Sequence, residues 1–115
     1  MTIFNKTSKK TIIKKTKICK SLFCKSFGLM FRKKPDYGLV FVFSNEKRLE
    51  RTLTMLFVFY PIDVLFLNSR KQVVDKKEGF MPFTNYTPKK AAQYVIELPA
   101  KVSSAVKIGD RVEWQ

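Results

Sequence analysis

Apolar positions along this chain fall into short blocks set off by polar and charged stretches, and most of the blocks have strand length. From Tyr37 to Phe43 (YGLVFVF) and from Thr54 to Phe59 (TMLFVF) the residues are β-branched or aromatic, with the charged stretch SNEKRLERT between them. Such runs predict two strands joined by a polar loop. Pro61 cannot donate to a ladder, so it ends the second strand. A third strand follows at IDVLFLN, and Asn68 to Lys71 make a turn into QVVD. Gly79, Pro82 and Pro88 punctuate an irregular stretch, after which YVIELP and DRVEW read as two more strands around a tight turn at Ile108-Gly109-Asp110.

Upstream the pattern changes. Thr11 to Ser21 (TIIKKTKICKS) mixes isoleucine with lysine at strand length, behind a polar, lysine-rich segment that reads as a flexible tail over residues 1–10. In LFCKSFGLMFRKK, Phe23, Phe27, Met30 and Phe31 recur at spacings of three and four, the period of one helical face, so a short helix is expected to end before Pro35. Six to seven short strands with one short helix predict a mainly β fold, an antiparallel jelly-roll-like sandwich or a partly closed barrel, as one domain over residues 11–115. LVFVF and MLFVF are apolar at every position, so their strands should be covered on both sides. Phe41, Phe43, Phe57, Phe59, Val64, Phe66 and Ile96 are the expected core.

Charge adds what the apolar pattern lacks. The chain has 115 residues and a net charge of +14, and eleven of its 23 lysines and arginines lie in the first 35 residues, where no acid occurs. A segment of that kind binds polyanions, and nucleic acid is the commonest. A lysine-rich segment can also act only as a solubilising tail, but here the charge continues through the expected first strand to the helix end. Self-association is not expected at such a charge.

Several classes of function find no residues to carry them. The longest apolar stretch, Leu53 to Leu67, is shorter than the roughly 20 residues of a membrane-spanning helix and holds Pro61 and Asp63. Lysines interrupt the N-terminus from Lys6 through Lys25, so no secretory signal is read and a cytoplasmic location is the expectation. Cys19 and Cys24 stand alone, without histidine or a second cysteine pair, and are read as two reduced, buried thiols rather than a metal or redox site. With no histidine, no glycine-rich phosphate loop and no serine elbow, no catalytic constellation, cofactor or metal is expected. Glu97, between Ile96 and Leu98, is expected to face solvent on an alternating strand.

Three blocks, FGLMFRKKPDYGLVFVF, TMLFVFYPIDVLFLNSRKQVVD and YVIELPAKVSSAVKIGDRVEW, occur in an order and spacing that resembles the domain-of-unknown-function one-nine-two family, over about Ile18 to Trp114. The resemblance rests on the Gly28 to Arg32 box, the Pro61 to Leu67 strand, Glu97-Leu98-Pro99 and Gly109-Asp110. It implies a compact, mainly β, jelly-roll-like domain with no known enzymatic activity, of the archaeal type in this case. Lys101 stands where the family usually has glycine, and Asn68 where it usually has aspartate. The first of these argues against a glycine-dependent ligand site at that turn.

The expected function is therefore non-catalytic binding of RNA or a ribonucleoprotein particle, with the ribosome as the foremost candidate. Lys9, Lys10, Lys14, Lys15, Lys17 and Lys20 would hold phosphates together with Arg32, Lys33 and Lys34. Lys76, Lys77, Lys89 and Lys90 would extend the patch if folding brings them to the same side. No base-reading motif is present, so recognition by shape is expected. The alternative is a module that binds a small polar ligand or an acidic protein in a pocket near Arg32 and Asp63.

Overall fold

The computed structural model of the chain describes residues 1–20, 36–55 and 58–115. The expected helix, Phe57, Arg32, Lys33 and Lys34 lie outside these residues. Among them the fold is mainly β, in three sheets with no closed barrel. The largest sheet contains β3 (Thr16–Cys19), β4 (Gly38–Lys47), β6 (Ile62–Leu67), β7 (Val73–Phe80) and β9 (Ala92–Pro99), in the order β3-β4-β9-β6-β7. A second sheet has β1 (Ile3–Asn5) between β2 (Lys10–Ile13) and β10 (Val112–Trp114). The short strands β5 (Leu53–Thr54) and β8 (Asn85–Tyr86) pair with each other.

The five-stranded sheet is the middle layer. Every residue of β6 is buried, Asp63 included, as a strand covered on both faces should be. On one face Val40, Leu65, Ile96 and Leu98 pack with Ile3 and Val112 of the three-stranded sheet. On the other, Leu39, Phe41, Val64, Phe66 and Val95 pack with Met55, Val58 and Phe80. Each large side chain so buried contributes about 1.5–3 kcal/mol. Gly38 allows the two sheets to approach, because a Cβ there would lie 2.6 Å from Ile3 Cδ1.

Five expectations change. The first ten residues are not a detached tail: Ile3 is fully buried, and Thr2 and Gln115 exchange backbone hydrogen bonds of 2.6 and 3.0 Å. The sheet is not purely antiparallel, since β3 runs parallel to β4, with Thr16 opposite Gly38. Phe59 is 61% exposed rather than core. The expected strand over Thr54–Phe59 stops early, and the Val58 N–H bonds back to the Met55 carbonyl at 3.2 Å, a contact extended chain does not make. Cys19 is buried and disulfide-bonded, which corrects the reading of two reduced thiols.

Other expectations hold. Phe41, Val64, Phe66 and Ile96 are core, and Phe43 is partly buried against it. Gly109, at φ 95°, turns the chain into β10 with its N–H bonded to the Val73 carbonyl. Lys101 adopts φ 74°, a left-handed conformation that glycine takes without strain.

Candidate nucleic-acid interface

The lysines near the N-terminus are placed by a hairpin that one buried side chain organises. Asn5 Oδ1 accepts the N–H groups of Thr7 and Ser8 at 3.1 and 3.2 Å, and its Nδ2 donates to Asp110 Oδ2 at 2.7 Å. The Lys107 N–H and then the Asn5 amide hold the Asp110 carboxyl below its usual value. Because Ile3 and Asn5 point inward, Phe4 between them points outward. With Lys6, Lys9, Lys10 and Thr11 it lines a surface groove of about 420 Å³. Lys6 reaches Glu113 at 3.6 Å, while Lys9 and Lys10 make no ion pair with the described residues. Nothing in the sequence marks Lys6, which is one lysine in a polar run.

Of the remaining lysines of this segment, Lys14 and Lys15 link β2 to β3. Lys15 is bound to Asp36 at 2.7 Å, both fully exposed; the carboxylate raises the ammonium's pKa, and the ammonium lowers that of the acid. Lys17 lies over the Tyr37 ring, 4.4 Å from its centroid. Lys20 lines a second groove, with Lys71, Tyr94 and Trp114.

The second set of lysines does not simply extend the first. β3 and β7 are opposite edges of the sheet, about 19 Å apart across four strand spacings. Lys76 is opposite Leu65 and turns to the side of the three-stranded sheet, but its ammonium is engaged by the Val106 carbonyl at 2.6 Å and by Glu78. Lys77 is opposite Val64, on the other face, 5.3 Å from the Tyr86 centroid. Lys89 donates its backbone N–H to Asp75, which also accepts the Tyr86 hydroxyl, and Lys89 and Lys90 are exposed. The lysines of the C-terminal half therefore fall on two sides of the molecule.

The alternative pocket loses its carboxylate. Asp63 is 1% exposed, and its oxygens accept Gly79 N–H at 3.1 Å, Ser103 N–H at 3.1 Å and Ser103 Oγ–H at 2.6 Å. Glu97, expected on a solvated face, is buried instead, since a middle layer has no outer face. Burial pushes its carboxyl up to about 7, and Oε1 has no partner among the described residues. Among those residues no three acids or cysteines gather into a metal site. No helix among them is long and apolar enough to cross a membrane.

Comparison with known proteins agrees on kinship. The chain is 37% identical to a UPF0127 protein of Thermococcus sibiricus over 98% of its own length and 74% of the relative's. It is 46% identical to a UPF0127 protein of Pyrococcus furiosus, over 80% of each chain. A crystal structure of a protein of unknown function from Novosphingobium aromaticivorans superposes with a TM-score of 0.83 at 20% identity, over 98% of this chain and 82% of that one, and so shares its fold. With residues 3–114 matching the model of the DUF192 family (Uncharacterized ACR), the chain belongs to that family.

Proposed function

We propose that the protein is a non-catalytic binder of RNA or of a ribonucleoprotein particle, the ribosome foremost, and that it works in the cytoplasm. The observation that carries this reading is the groove around Phe4, where Lys6, Lys9 and Lys10 surround an outward aromatic ring on a hairpin held by Asn5. Ammonium groups in that setting neutralise phosphates, and the ring offers a surface for a base. Lys14, Lys17 and Lys20 continue the positive surface along β3.

Binding should weaken steeply with salt. Five phosphate contacts give a slope of about −3.5 to −4.5 in log K against log salt. Sedimentation of cell extracts at low and high salt, with and without nuclease, measures the same property in the native setting. Co-migration with RNA particles that both salt and nuclease abolish supports the proposal. A free monomer at low salt, or Lys9→Glu with Lys10→Glu binding as the parent does, overturns it. The reading as a jelly-roll-like module for a small polar ligand or acidic protein near Arg32 and Asp63 has less support, because Asp63 is engaged by Gly79 and Ser103.

A further inference from the structure

A second groove, of about 320 Å³, lies where Ile18 of β3, Val42 of β4 and Tyr94 of β9 meet Trp114 of β10, and it combines aromatic rings with ammonium groups. Ile18 and Val42 form its aliphatic base, packed against the core. Tyr94 on β9 and Trp114 on β10 meet edge to face, with centroids 5.2 Å apart and planes at 65°. Lys71 lies with its Nζ 4.4 Å from the Trp114 centroid and 5.8 Å from that of Tyr94, and the exposed Lys20 completes the rim. Among the described residues no acid lines this groove.

The parts are held by backbone. Trp114 is paired with Ile3, and Tyr94 with both Val42 and Leu67. Lys71 sits at φ 61°, in the left-handed region that a lysine seldom occupies. Its N–H bonds to the Asn68 carbonyl at 3.0 Å, and its own carbonyl accepts the Val112 N–H at 2.9 Å. Asn68 Oδ1 closes the turn by accepting the N–H groups of Arg70 and Gln72. Strained positions of this kind persist where the surrounding structure over-determines them, often at ligand clamps.

A cation is a poor ligand here, because Lys20 and Lys71 would repel it. A bare phosphate would leave the rings unused. A nucleotide uses both features, and the small volume admits one base rather than a base pair. We propose that this groove takes one unpaired nucleobase of a single-stranded RNA, stacked on Trp114, with its flanking phosphates on Lys20 and Lys71. In the free protein the Lys71 ammonium covers the ring; on binding it swings to a phosphate and the base replaces it. This inference rests on the nucleic-acid reading above and specifies how one base is held.

Trp114 is the only tryptophan in the chain, so intrinsic fluorescence reports on this groove alone. The test titrates the full chain with end-labelled oligouridylate of about ten nucleotides, within the usual range of single-strand site sizes. Anisotropy of the label follows all binding, and tryptophan emission follows stacking. The expected result is saturable quenching with the same midpoint as the anisotropy. Trp114→Leu should weaken single-strand binding about five- to hundredfold, the range for loss of one stacking ring, and leave duplex RNA binding unchanged. Lys71→Gln, which keeps the reporter, should weaken it too and flatten the salt slope by about 0.7. If anisotropy saturates while Trp114 emission stays constant and Lys71→Gln binds like the parent, the groove assignment falls and the lysine-phosphate reading stands. If neither signal moves at low salt, both fall.

Discussion

Two acids on neighbouring strands of the central sheet meet opposite fates. Asp63 on β6 lies opposite Leu98 of β9, and Glu97 on β9 lies opposite Val64 of β6, a single register step away. Both are buried. Asp63 accepts three hydrogen bonds, from residues 16 and 40 positions further along the chain, and so fastens two distant loops to the sheet. Glu97 presents Oε1 to an apolar layer with no partner among the described residues. A buried acid is therefore a clasp in one place and a destabilising group in the other. Donors brought by loops make the difference, since burial alone disfavours the charged form.

The largest effect should come from breaking the clasp. Asp63→Ala leaves the Gly79 N–H, the Ser103 N–H and the Ser103 hydroxyl without an acceptor, and is expected to cost about 4 kcal/mol in urea unfolding. Asp63→Asn keeps one acceptor oxygen and should lose about half of that. A loss under about 1 kcal/mol for the alanine variant would show that the loops do not depend on it.

Glu97→Gln should act in the opposite direction, with a pH signature. The folded protein holds the Glu97 carboxyl at about 7 against an ordinary 4.5, so the native state binds the proton more tightly than the unfolded chain. Stability from this group is complete below about 4.5, declines as pH rises, and has lost about 3 kcal/mol once pH exceeds 7. The glutamine variant lacks that slope. It should match the parent near pH 4 and exceed it by about 3 kcal/mol at pH 8. Equal midpoints at pH 8 would mean that the carboxylate has a partner after all.

This contrast also marks where sequence was informative. LVFVF reveals a central strand because a strand covered on both faces calls for apolar residues on each, whereas MLFVF, equally apolar, is no central strand, since β5 ends at Thr54. Alternation misleads at Glu97 for the same reason, since it assigns a solvated side that a middle layer lacks. Asp63 stood out as an acid in an apolar run, yet Gly79 and Ser103 carry no local mark of being its partners. β1 is three residues long amid lysines, and it pairs with β10 at the other end of the chain, so no periodicity announces it. Lys71, Tyr94 and Trp114 likewise come from three separate elements and meet only through register. The positive segment was plain from sequence, whereas the division of its lysines between exposed grooves and internal bonds was not.

Asp75 lies between the two extremes and sharpens the scale. It accepts the Lys76 N–H at 2.8 Å, the Lys89 N–H at 2.9 Å and the Tyr86 hydroxyl at 2.6 Å. Tyr86→Phe removes one donor of three and should cost about 1 kcal/mol. Burial and the adjoining carboxylate push the Tyr86 phenol up to about 12, so its phenolate absorbance should develop only beyond pH 10, the value of an ordinary tyrosine. Stability should fall across that same interval, because the unfolded chain loses this proton first. A phenol titrating near 10 would show that the hydroxyl does not reach Asp75.

The smallest effect on stability belongs to Asp36, an acid with no burial at all. Its partner Lys15 is equally exposed, and pairs of this kind contribute little to folding because water and salt screen both charges. Asp36→Asn should therefore leave the unfolding midpoint where it is. It should still change binding, since Asp36 competes with phosphate for the Lys15 ammonium. Freed of that competitor, Lys15 adds one contact, and the salt slope for RNA should steepen by about 0.7 to 0.9 while affinity at low salt rises. An unchanged slope would remove Lys15 from the interface and confine the phosphate contacts to lysines such as Lys9 and Lys10, which have no carboxylate to leave among the described residues.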